Sequence, residues 1–144
     1  MVRIRFLCPA CLIVITGLLG CSSDRSSPTA ADTDSIAWVW LEPTPGTIVR
    51  PGQDVLFTAT VDYELRSADD GEIVMVLQDD LGHPLNPGSE QARVEVERGS
   101  GRIEISESLL IPDEGVNRVM VFVLLAGSPR DRTTAFVNAS FEVQ

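Results

Sequence analysis

From Asp54 to Arg66 the chain alternates with a period of two. Val55, Phe57, Ala59, Val61, Tyr63 and Leu65 fall on one side. Asp54, Thr58, Thr60, Asp62, Glu64 and Arg66 fall on the other, with Leu56 the one apolar exception. Successive side chains of an extended strand point to opposite faces. Alternation of this length therefore predicts a strand with one face in a core and the other in water.

Further strand signals follow at regular intervals. Pro43, Pro45 and Gly46, then Pro51 and Gly52, are turn residues that separate a first strand at 36–42 from a short second one at 47–49. Residues 72–78 form a continuous apolar run, which predicts a central strand. Asp79, Asp80 and Gly82 turn the chain. Residues 92–97 and 102–109 read as a hairpin around Gly99 and Gly101. A four-residue loop at 98–101 would set Val96 opposite Ile103 and Val94 opposite Ile105, whereas a slip of one would oppose apolar to charged residues. Two long strands at 117–125 and 133–143 close the chain. Pro112, Gly115 and the β-branched residues disfavour helix in the second half. The expectation is an all-β fold of about seven to eight antiparallel strands, a sandwich, with a barrel as the structural alternative.

The first twenty residues are of another kind. Arg3 and Arg5 precede an apolar run at 6–19, and small Gly20 stands before Cys21. The run is fourteen residues long, short of the ~20 that span a bilayer as a helix. A basic start, an apolar middle and a small-residue exit compose a secretory signal. Residues 22–35 are small and polar without periodicity. They read as a flexible tether with a root-mean-square reach of ~20 Å. Removing 1–20 takes Cys8 and Cys11 with it, so the body carries no cysteine for a disulfide or thiolate site. It also removes two of eleven basic residues. Nine Arg then face twenty-one Asp and Glu, a net charge of about −12 with no Lys. That charge is repelled by phosphate backbones, so nucleic acid is not an expected partner. Anionic lipid surfaces repel it as well.

Leu18-Leu19-Gly20-Cys21 resembles the lipobox of bacterial lipoproteins, in which the chain is cut before the cysteine. The resemblance implies a signal peptide at 1–20, a lipidated N-terminus and tether at 21–35, and a folded body at 36–144. It implies fatty chains on Cys21, and hence a membrane anchor in the bacterial cell envelope. One short chain binds a bilayer only marginally, and the two or three that the family carries anchor stably. Ser22 after the cysteine resembles an outer-membrane address, with the body facing the periplasm or the surface.

Two stretches of the body resemble bacterial immunoglobulin-like and fibronectin III-like modules. Glu42-Pro-Thr-Pro-Gly-Thr-Ile-Val-Arg-Pro-Gly-Gln-Asp-Val55 is similar to the Pro-x-x-Gly-x-x-Val entry to their long second strand. Pro112-Asp-Glu-Gly-Val-Asn-Arg-Val-Met-Val121 resembles the corner before their sixth strand. The likeness covers residues 36–144 and implies a single immunoglobulin-like β-sandwich. The chain departs from the antibody pattern: it lacks a cysteine pair in the body and a tryptophan on the third strand, and its one tyrosine, Tyr63, lies on the second.

Candidate chemistry is sparse. His83 is the one histidine, in a turn, while transition-metal sites draw on several His or Cys ligands. Ser100 sits between two glycines at a hairpin tip, not on a nucleophile elbow. An enzyme is therefore not expected. Asp79, Asp80, Asp113 and Glu114 fall in loops at one end of an immunoglobulin-like order. There they could converge on Ca²⁺, the one cofactor considered, or simply be solvated turn residues. Trp38 and Trp40 share a face of the first strand with Ile36. They either fill the core, as burial tendencies favour, or form an exposed aromatic stripe for glycan or protein. The expected function is a lipid-anchored, non-catalytic envelope module for protein–protein contact, adhesion or scaffolding. The alternatives are a glycan-binding module using Trp38 and Trp40, or an accessory domain of an envelope enzyme complex.

Overall fold

Two of the five strands bend halfway, and one of them, the longest, also changes partners there, which determines the shape of the molecule. The computed structural model describes residues 33–86, 91–129 and 132–144. The expected signal at 1–20 and the expected lipid site Cys21 lie outside the described residues. Among the described residues, no helix is long and apolar enough to cross a membrane.

The strands are β1 (Ser35–Glu42), β2 (Asp54–Gln78), β3 (Arg93–Leu110), β4 (Arg118–Gly127) and β5 (Arg132–Glu142). All pair antiparallel in one sheet of order β1-β2-β4-β5, with β3 added on β2. The first half of β2 pairs with β1, in register from Ser35↔Glu64 to Glu42↔Thr58. Its second half pairs with β4, from Gly71↔Gly127 to Gln78↔Met120. β3 follows the same bend: residues 99–110 pair with 54–65, and 93–97 pair with 70–74. The sheet thereby curls until non-adjacent strands meet. Phe57 of β2 and Phe141 of β5 pack edge to face with ring centroids 5.2 Å apart. Both are fully buried, as are Leu65, Ile73, Met75, Leu77, Ile111 and Leu125.

The alternation of 54–66 survives intact. Val55, Phe57, Ala59, Val61 and Leu65 are buried, Tyr63 packs against the core from its edge, and Leu56 points to solvent. The strands expected at 36–42, 117–125 and 133–143 are present within a residue or two of β1, β4 and β5. The expected strand at 47–49 is reduced to a single parallel bridge, Val49↔Val143.

The expected hairpin at 92–109 is corrected. Val96 faces Gly71 and Val94 faces Ile73, while Ile103 faces Val61 and Ile105 faces Ala59. The glycines expected to form a loop instead let one 18-residue strand bend. Gly99 lies at φ 125°, a backbone region that side chains other than glycine's avoid. The bend falls where β2 has its own irregularity between Leu65 and Asp70, so both strands turn together. Close packing is strictest at Gly71, where a Cβ would sit 2.4 Å from the Ala126 carbonyl oxygen. The seven or eight expected strands become five because 47–49 is a lone bridge, 54–66 and 72–78 are one strand, and so are 92–97 and 102–109.

The folded body also begins earlier than the tether reading placed it. Asp34 is buried and ties the start of β1 to the bend of β2. Its carboxylate accepts hydrogen bonds from the Arg66 backbone N–H (2.7 Å), the Ser67 backbone N–H (2.9 Å) and the Ser67 hydroxyl (2.5 Å).

Candidate functional site

The curled sheet has one inner and two outer faces, and the outer faces carry the residues with unspent chemistry. The first is the outside of β1 with the first half of β2 and the second half of β3. The two tryptophans separate here. β1 contains a bulge between Trp38 and Trp40: Trp38 pairs with Val61 and Trp40 with Thr60, leaving Val39 as the extra residue. One inserted residue reverses which face the following side chains take. Trp38 therefore turns inward to pack against the core, and its Nε1 donates to the Asn138 carbonyl oxygen at 3.2 Å. Trp40 turns outward and is 49 % exposed. The shared aromatic stripe is corrected: one indole belongs to the core and the other to the surface.

Trp40 lies on a polar lattice. Thr60 is its neighbour on β2, and Thr60 pairs in turn with Glu104 of β3. The adjoining row is Glu42, Thr58 and Ser106, whose Thr58 and Ser106 hydroxyls are 2.9 Å apart. On the far side Arg102 grips Asp62 with two hydrogen bonds, Nε–Oδ1 at 2.6 Å and Nη2–Oδ2 at 2.8 Å. The hydrogen bonds and charge of Arg102 hold the Asp62 carboxyl below the usual carboxylate range.

The second outer face belongs to the later half of β2, with β4 and β5. Val119, Val121, Val123 and Leu125 face the core, so Met120, Phe122 and Leu124 face out and are half-buried, while Ala126 is buried. Register places Val74 beside Leu124 and Val76 beside Phe122. Leu124 in turn pairs with Phe136. Phe136 is 59 % exposed, and its ring lies 6.2 Å from that of Phe122. Polar groups rim this apolar row, among them Arg93, whose Nη1 contacts the buried Glu72 carboxylate at 3.2 Å. Sequence reading passed over this patch. Its signal was present: β2 and β4 are apolar on both faces, and on the outer one Val74 and Val76 are buried by their neighbours while Phe136 stays exposed.

The four acidic loop residues do not assemble. Among the described residues, no group of three or more His, Cys, Asp or Glu side chains is placed to hold a metal ion. The Asp79 carboxylate is committed to its own turn. It accepts the Leu81 N–H (2.9 Å) and the His83 N–H (2.7 Å), and contacts the His83 ring Nδ1 at 2.9 Å. Burial would raise its pKa, but these hydrogen bonds and the His83 ring outweigh that and lower it. Asp80, Asp113 and Glu114 are exposed. An open recess of about 300 Å³ at the β2 bend is lined by Asp70, Gly71, Glu95, Val96 and Glu97.

No family model matches the chain. No curated protein matches it either. Among solved structures it is similar to a glycosyl hydrolase family 2 member from Bacteroides cellulosilyticus DSM 14838, with 11 % identity and a TM-score of 0.48. The match covers 76 % of this chain and 15 % of that one. The chain thus spans a small part of that protein's length, and a likeness of this extent assigns neither family nor activity.

Proposed function

We propose that this protein is a lipid-anchored, non-catalytic module of the bacterial envelope that makes protein–protein contact through the outer face of β2, β4 and β5. The observation that carries this reading is the Phe136–Phe122–Leu124 row, an apolar patch with a polar rim on the surface of a sheet. Monomeric soluble bodies seldom leave such rows uncovered, and apolar patches rimmed by polar groups mark contact sites. In this reading the body is an immunoglobulin-like sandwich of seven strand segments. β1, the first half of β2 and the second half of β3 form one layer, and the remaining halves with β4 and β5 form the other. The partner change of β2 from β1 to β4, with β3 bending alongside it, supports that division. The lipid anchor rests on the lipobox resemblance ending at Cys21, and outer-membrane placement rests on Ser22.

The test is a photo-crosslinking side chain at position 136 of the full-length protein in its native cells. The reading expects a discrete adduct with a protein, abolished by Phe122→Asp and unaffected when the crosslinker is moved to exposed Leu56. Absence of an adduct at 136, or equal adducts at both positions, would count against the face as a contact site.

A further inference from the structure

We propose a second interaction surface, distinct from the Phe136 face: the Trp40 side of the sheet docks a basic segment of a partner protein, with an arginine or lysine over the indole. Three observations converge on it. First, Trp40 is 49 % exposed. The bulge at Val39 turns it away from the core that holds Trp38. Second, Glu42 and Glu104 flank it on the same face, with no hydrogen-bond or ion-pair partner among the described residues. Glu42 lies two residues along β1, ~7 Å away, and Glu104 two strands across, ~10 Å away. Third, the arginines of this face are already engaged: Arg102 is held by both oxygens of Asp62, and Arg66 is paired with Glu64. The two free carboxylates are therefore not neutralised from within.

The chemistry that fits an open indole between two free carboxylates is a cation. The face of an indole attracts a guanidinium or ammonium group through its quadrupole. The Glu42 carboxylate, ~7 Å away, lies within the ~8 Å Debye length at physiological salt, and Glu104, at ~10 Å, lies just beyond it and acts more strongly at lower salt, so together they steer and hold a positive charge. A neutral sugar would use the indole but would gain nothing from the charge. An anionic lipid or nucleic acid would be repelled. This inference stands independently of the Phe136 contact, since the two surfaces lie on opposite layers of the curled sheet.

The experiment uses the full-length protein in neutral detergent and titrates it with an eight-residue arginine peptide, following tryptophan emission. Neutral glutamine octapeptide and a soluble neutral oligosaccharide serve as comparison probes. The proposal expects saturable quenching by the arginine peptide alone, weakening as salt rises. Binding should fall about tenfold in Trp40→Ala, read by anisotropy of a labelled peptide, and about tenfold in Glu42→Gln/Glu104→Gln. The charge-matched control Asp80→Asn/Glu114→Gln should bind as wild type. Phe136→Asp should also bind as wild type, so this result and the crosslinking result at position 136 can fail separately. Equal weakening in both charge-neutralised pairs would reduce the effect to net charge and overturn the site. Trp40-dependent binding of the oligosaccharide with none of the arginine peptide would overturn it in favour of a glycan.

Discussion

Asp34 bears more structure than its place in a polar stretch suggests. Burial pushes its pKa up, but hydrogen bonds from the Ser67 and Thr134 hydroxyls and from the Arg66 and Ser67 backbone outweigh this and lower it. A carboxyl whose folded pKa lies below its unfolded value stabilises the fold above that unfolded value. The contribution is lost as pH falls through the folded value. Asp34→Ala should therefore destabilise by about 2 kcal/mol at neutral pH, since two backbone N–H groups lose a charged acceptor. In urea unfolding, Asp34→Asn should lie below wild type at pH 7, and the gap should close as pH falls below about 4. A gap that stays constant through the acid range would mean the charge of Asp34 plays no part. Asp62 and Asp79 are lowered in the same direction, so some acid sensitivity should remain in the variant.

At the scale of elements, alternation proved the most legible signal and turn chemistry the least. Residues 54–66 gave the buried set of β2 almost without error, because a period of two admits one inward face. The hairpin at 92–109 misled for a definable reason. Val94, Val96, Ile103 and Ile105 form a one-sided apolar set whether they face each other or face β2. Local pattern cannot choose between these, and only the length of bent β2 does. The tryptophans misled because a bulge is a register event between strands, invisible in β1 alone. The bulge yields a direct prediction. Since Trp38 and Trp40 already pair with consecutive residues Val61 and Thr60, deleting Val39 should leave a regular ladder with both indoles on their present sides. Stability should change by less than about 1 kcal/mol. Trp40→Phe should retain blue-shifted emission shielded from iodide, and Trp38→Phe should leave redder, quenchable emission, with and without the deletion. Shielding of both indoles in the deletion variant would refute the assigned register.

The described body is all-β, and with the proposed lipid anchor the whole molecule would be an acidic body on a short tether. Residues 22–33 would let it stand off a bilayer by ~20 Å, and its negative charge keeps it from settling on anionic lipid. The leash would join the body at Asp34, beside the β2 bend. The composition and the N-terminal pattern suggest this arrangement by themselves, whereas the two proposed contact surfaces emerged only from register and curl. The central claim is that the body works from a lipid on Cys21. Mass spectrometry of the N-terminal peptide of the protein purified from its own membranes tests it most directly. The account predicts a peptide that begins at Cys21 and carries fatty acyl mass. A peptide that begins elsewhere, or one with Cys21 as a free thiol, would contradict it.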